Sequence, residues 1–392
     1  MKLLLNLLKI HLKSLYFFIK IFTLQKKQVF FLSRQYDEIS LNYKFIMKEL
    51  DKKNIKYIYI CKKVNETLND AVRIDKNKKN IFIKFFTILS PSIKYYFNLI
   101  KQMKYIAKSK VVIVDGYNLP VSLLSHKKGT KVIQMWHALG AIKKFGYQSV
   151  GYKDGINVNT AKILKMHNNY DYVISGSTYM NNFFSEAFKV PIEKILPIGT
   201  PTVDYIREKN EKIKKNIFNE YPQLKNKINI LYSPTFRNDN RDETSKIIDK
   251  IDFNKCNLVL TFHPKIKEKH IDGRVICINR DKFSTFDMLK VCDYVITDYS
   301  ALTIDAIIAE KKVLLYVYDY EKYKKENGLN IELLDEFPKL AYKDIDKLLN
   351  VIYKNNYDNE QYEKLKNICT NGLSKNCTKE NLKLIERCMN DE

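Results

Sequence analysis

Short apolar runs, each trailed by a polar turn and then by helical spacing, recur from residue 28 onward and constrain this chain more than any other feature. Residues 28–33 (QVFFLS), 57–61 (YIYIC), 111–114, 131–135 and 171–174 read as buried strands. A second set follows at 228–233 (INILYS), 258–262 (LVLTF), 274–278, 294–297 and 313–317. Helical spacing fills the gaps, near 40–50 and from Ser90 and Pro91, which read as an N-cap and first helical position, to about 108. Strands alternating with helices imply parallel sheets covered on both faces. A lysine-rich, turn-like stretch at 210–227 separates the two sets. The expected fold is therefore α/β: two doubly wound domains, 26–215 and 216–392, facing a cleft, with a polar helical tail over about 357–390. Ligands of such sheets bind outside the carboxyl ends of the strands, so chemistry belongs there.

Five strand ends carry suitable side chains. Trp136 and His137, with Lys143 and Lys144 just beyond, place the single tryptophan beside one of six histidines. Histidine titrates near neutrality and makes a natural general base, although one that only hydrogen-bonds a loop fits these residues equally well. Thr235 and Arg237 follow the first strand of the second set, and an arginine fork suits a phosphate or, equally, a surface carboxylate. His263 leaves a second buried strand, so each domain sends one histidine toward the cleft. Thr297, Asp298, Tyr299 and Ser300 precede a helix expected over 301–310. The free N–H groups of a helix start suit a pyrophosphate, with Ser300 as N-cap. Residues 199–204 (GTPTVD) read as a turn and cap.

The N-terminus is apolar over 3–23 but interrupted by Lys2, Asn6, Lys9, Lys13 and Lys20, which fall on one side of a helix. A spanning helix would bury three of those lysines, and no small-residue cleavage site follows as a signal peptide needs. An amphipathic helix over 1–25, lying in a membrane surface, fits better than one packed only on the protein. The formal charge of +24 favours an anionic partner: a nucleotide, a nucleic acid or an acidic membrane. Seven scattered cysteines without CxxC spacing suggest reduced thiols and no zinc site. P-loop, GxGxxG, HExxH and GxSxG motifs are missing, as are zinc fingers and RNA-binding signatures, which argues against nucleic acid as the partner.

In order along the chain, LSRQYDEISLNYKFIMKEL, QMWHALGAIKKFGY, GTPTVDYI, LYSPTFRND, TFHP and VCDYVITDYSALTIDAII resemble the CDP-glycerol glycerophosphotransferase family of teichoic acid primases and polymerases. The resemblance covers roughly 28–340 and implies a GT-B fold, a CDP-glycerol or CDP-ribitol donor, and a lipid-linked saccharide acceptor. It also implies peripheral attachment at the cytoplasmic face of the membrane. By resemblance His137 and His263 correspond to the two essential histidines, and 297–300 to the donor-phosphate loop. Trp136, Lys143, Lys144 and Thr235 are candidate acceptor or phosphate contacts. No metal or cofactor is implied, because cations and helix ends can carry the electrostatic work. Departures are Ala138 for a glycine, Ala301 for a serine, and a proline missing before Val313. The rival readings are a GT-B glycosyltransferase using a nucleotide-sugar and a basic protein that binds membranes or nucleic acid.

Overall fold

The apolar run at 28–33 lies within β1 (Lys26–Ser33), buried from Gln28 to its end, as a parallel strand covered on both faces must be. It lies between β2 (Tyr57–Cys61) and β3 (Ser109–Val114), parallel to both. With β4 (Lys131–Gln134), β5 (Tyr172–Ile174) and β6 (Ile195–Leu196) the sheet runs β2-β1-β3-β4-β5-β6. The structure is a computed structural model that describes residues 2–35, 37–62, 81–153, 155–235, 243–261 and 272–391.

A second all-parallel sheet follows, made of β7 (Ile228–Tyr232), β8 (Cys256–Leu260), β9 (Ile276–Cys277), β10 (Tyr294–Thr297), β11 (Lys312–Tyr316) and β12 (Ala341–Tyr342). Its order is β12-β11-β10-β7-β8-β9. β6 and β12 have two residues each, too few to leave a periodic signal in sequence. In both sheets the chain reverses its direction of growth beside the first strand. The switch points are thus the β1/β3 and β7/β10 gaps, where a crevice opens for ligands.

Three helices frame the first sheet. α1 (Lys2–Phe22) precedes it, α2 (Leu41–Lys52) is capped by the Ser40 hydroxyl accepting from the Tyr43 N–H, and α3 is Ile81–Lys108. α3 runs straight through Ser90 and Pro91, so that pair is not the helix start expected from sequence. A proline in a helix interior forfeits one backbone hydrogen bond, and the helix continues across that loss. The stretch at 210–227 is likewise more ordered than a turn, holding the helix Glu211–Glu220 and a tight turn over Pro222–Lys225.

The tail forms two helices, Asn359–Thr370 and Cys377–Asn390, and the last one returns to the first domain. Its Leu382, Leu384, Ile385, Cys388 and Met389 share a core with Phe31, Tyr43, Ile46 and Ile113. The 199–204 segment clasps it there: Asp204 accepts from the Cys377 and Thr378 N–H groups at 2.9 and 2.7 Å, and Asn381 donates to the Gly199 carbonyl at 2.7 Å.

α1 has two apolar faces. Leu12 and Tyr16 are buried, and the Tyr16 hydroxyl donates to His126 Nδ1 at 3.1 Å. The opposite face presents Leu3, Leu7, Ile10, Phe17 and Ile21, each at least 55% exposed. Among the described residues no helix is long and apolar enough to cross a membrane.

Candidate active site

β4 ends on the fully buried Gln134, whose carboxamide joins two strand ends: Nε2 donates to the Gly116 carbonyl at 3.2 Å, and Oε1 accepts the Trp136 N–H at 2.9 Å. That turn puts Trp136 in the left-handed region at φ 51°, a conformation costing about 1–3 kcal/mol for a bulky residue. The indole is held against Phe145, stacked at 5.4 Å between centroids, and edge-on to Phe188 and His167. His137 follows with its ring 4.3 Å from the indole.

His137 Nδ1 lies 3.3 Å from the Asp115 carbonyl. A carbonyl only accepts, so Nδ1 carries the proton and Nε2 keeps its lone pair. Crowding by protein pushes the pKa of His137 down to about 4, opposed by that hydrogen bond and reinforced by nearby Lys143. The ring still opens onto solvent, because it lines a cavity of about 530 Å³.

The cavity lies between the domains. One wall is Asp115, Trp136, His137 and the entrance to α2; the other holds Arg280, Lys282 and Asp287, with Asp305 from the helix Leu302–Ile308. The domains meet closely here. The Tyr205 hydroxyl donates to Asp287, and a Cβ on Gly140 would fall 1.7 Å from Ile304 Cδ1. Burial pushes Asp115 up to about 6, against weaker pulls from Ser33 and Arg34, and pushes Asp305 up to about 7. Burial also lowers the pKa of Arg280, and among the described residues no carboxylate pairs with it.

The residues singled out from sequence separate into groups. Trp136 and His137 line the cavity. Lys143 and Lys144 do not; the Lys144 N–H donates to the Gly328 carbonyl at 3.2 Å and its Nζ to the Tyr152 hydroxyl at 3.3 Å. Asp298 and Thr235 join the ends of β10 and β7, the carboxylate accepting from the Thr235 N–H at 2.9 Å and its hydroxyl at 2.6 Å. Thr297 donates to the Ser233 carbonyl at 2.7 Å, and Tyr299 stacks on Tyr323 with centroids 3.8 Å apart. These three side chains build the loop from inside the protein. Ser300 is only partly buried, and its hydroxyl accepts the Leu302 N–H at 3.2 Å. Ala301, not Ser300, occupies the helix cap, and the helix stops at Ile308, two residues short of the expected 310. Arg237 and His263 lie outside the described residues.

Sequence reasoning missed Asp115, Arg280 and Asp305. Asp115 and Arg280 stand just past β3 and β9, where the strand-end rule points. Asp305 left a different mark, as a lone acid in an otherwise apolar helix.

Two all-parallel sheets, each with one switch point and the first opening at Asp115 onto the cavity, define a GT-B-like α/β protein. A solved structure of the wall teichoic acid polymerase TagF, in a form soaked with CDPG, superposes with a TM-score of 0.72 at 18% identity, over 99% of this chain and 96% of that one. The family model for CDP-Glycerol:Poly(glycerophosphate) glycerophosphotransferase matches residues 14–377, and the chain belongs to that family. It is 32% identical over 265 residues to the teichoic acid glycerol-phosphate primase of Bacillus subtilis (strain 168), covering 65% of this chain and 68% of the relative. The teichoic acid ribitol-phosphate primase of Bacillus spizizenii (strain ATCC 23059 / NRRL B-14472 / W23) is 29% identical over 270 residues, 66% and 69% of the two chains. The chain is thus a transferase of the teichoic-acid type, as its motifs led us to expect.

Proposed function

We propose that this chain transfers glycerol phosphate from CDP-glycerol to a hydroxyl of a lipid-linked saccharide, releasing CMP at the cytoplasmic face of a membrane. One observation carries the mechanism: His137 in the cavity, neutral, with Nδ1–H committed to the Asp115 main chain and Nε2 left to accept a proton. The acceptor hydroxyl loses its proton to Nε2 as its oxygen bonds to the polyol-bearing phosphorus. The bond from that phosphorus to the CMP oxygen breaks, and CMP leaves with the electron pair. Such a base contributes about 100- to 10,000-fold in rate.

The developing negative charge needs fixed positive partners. Arg280 on the opposite wall is one such group; Arg237, His263 and the loop at 297–300 are assigned the same task on the family resemblance. In this assignment 26–215 is the acceptor side and 216–392 the donor side, with the last helix crossing back. Lys143 and Lys144 add positive potential near the acceptor. α1 lies on the membrane through its exposed apolar face, its lysines on one flank at headgroup height.

The test is CMP release from CDP-glycerol, with and without a lipid-linked disaccharide, by the wild type and His137→Ala. Acceptor-dependent release that the variant loses supports the reading; equal release by both contradicts it. CDP-ribitol is assayed alongside, because one similar primase is named for ribitol phosphate.

A further inference from the structure

Asp115 is the first residue beyond β3, at the β1/β3 switch point of the first sheet, and it lines the cavity. The residue is 5% exposed, yet neither carboxylate oxygen has a hydrogen-bond donor among the described residues. Two nearby donor groups point to main-chain carbonyls, although the Arg34 Nε–H is itself buried without an acceptor. The Arg34 guanidinium donates to the Tyr117 carbonyl at 3.0 Å, and the Tyr43 hydroxyl donates to the Leu32 carbonyl at 3.2 Å. The Ser33 side chain and Arg34 main chain come close enough to influence the carboxyl without reaching hydrogen-bond geometry. A buried acceptor left unpaired destabilises the fold, more so when charged, so a fold that keeps one calls for an explanation.

We propose that Asp115 is an acceptor-binding residue, its carboxylate receiving a hydroxyl hydrogen from the polyol or sugar unit that also presents the attacking hydroxyl to His137. This inference rests on the transferase reading given above. Three observations select that ligand. The same residue's carbonyl holds His137 Nδ1, so carboxylate and base are parts of one rigid unit on one wall. A phosphate would be repelled by a carboxylate, whereas Arg280 and Lys282 stand on the other wall. Among the described residues no group of three or more metal-ligating side chains gathers around Asp115. What remains is a neutral donor of hydrogen bonds, and vicinal hydroxyls are what a polyol or sugar carries.

The experiment compares wild type with Asp115→Asn and Asp115→Ala, using CDP-glycerol and a lipid-linked disaccharide as probes. Calorimetric binding of CDP-glycerol without acceptor should stay within about twofold, while kcat/KM for the acceptor falls about 10- to 100-fold in the alanine variant, the worth of a charge-assisted hydrogen bond. An acceptor lacking the hydroxyl next to the reacting one should cost the wild type a similar factor and the alanine variant almost nothing more. Melting midpoints of both variants should equal or exceed that of the wild type, because an unpaired buried carboxylate has gone. An unchanged acceptor kcat/KM, additive losses with the deoxy acceptor, lost donor binding or a lower melting midpoint would each overturn the proposal. A wild type silent with both CDP-glycerol and CDP-ribitol would overturn the transferase reading and this proposal together, and it is recognised before any variant is made.

Discussion

A general base must hold an available lone pair at working pH, and His137 meets that condition through its surroundings. An imidazole is already mostly neutral above about pH 7, the protein around it lowers its pKa further, and the Asp115 carbonyl fixes which nitrogen bears the proton. The other perturbed groups give the protein a measurable dependence on pH. His126 and His167 are pushed down to about 4 and 3 by burial. The unfolded chain then binds more protons than the folded one below about pH 6.5, so their contribution to stability is lost as pH falls toward 4. Asp305 has the opposite sign. Raised from 3.8 to about 7, it is more readily protonated when folded, and stability is lost as pH rises through that window. Asp305→Asn should therefore melt higher than wild type at pH 8 and close to it at pH 4. Cavity solvent reaches part of the side chain, which keeps the gain modest. Equal melting at pH 8 would show that Asp305 is not held under strain.

At the scale of elements, α1 and the closing helix make separate predictions. α1 is anchored through Leu12 and Tyr16 and leaves its other apolar face to solvent, so docking and membrane contact are separable. Replacing Leu7, Ile10 and Phe17 together with serine should cut sedimentation with anionic vesicles at least about tenfold while leaving the melting midpoint unchanged. A fall in stability without loss of vesicle binding would contradict the assignment. Leu12→Ala, by contrast, should cost about 2–5 kcal/mol as a buried truncation. The closing helix depends on Asp204, which accepts from two N–H groups of its first turn and from the Thr378 hydroxyl at 2.6 Å. Asp204→Ala should cost about 1–2 kcal/mol in denaturant unfolding, the range for a lost helix cap.

These elements also mark what the sequence could and could not disclose. β1, β2, β7 and β10 were legible because strands covered on both faces are written as unbroken apolar runs. The Ser90-Pro91 pair misled because a cap signature and a tolerated interior proline look alike without their tertiary surroundings. The return of the last helix to the first domain is a long-range event, and its amphipathic pattern does not say which core it will meet.

For the whole molecule, the proposed transfer uses one cleft, with His137 on the first domain and Arg280 and Lys282 on the second. His137 was legible because it stands at a strand end beside the single tryptophan, but which of its nitrogens bears the proton emerges only from its contact with the Asp115 carbonyl. Asp298 was legible as a strand-end acid, but its tie to Thr235 was not, because hydrogen-bond partners 63 residues apart leave no local signature. The bond from Thr297 to the Ser233 carbonyl and the stacking of Tyr299 on Tyr323 are similarly invisible in a local reading. Acceptor-dependent CMP release from CDP-glycerol is the measurement that decides whether transfer occurs in the cavity around His137. The wild type should release CMP, His137→Ala should lose about 100- to 10,000-fold of that rate, and both should bind CDP-glycerol equally. CMP release by the folded alanine variant at the wild-type rate would contradict transfer in that cavity.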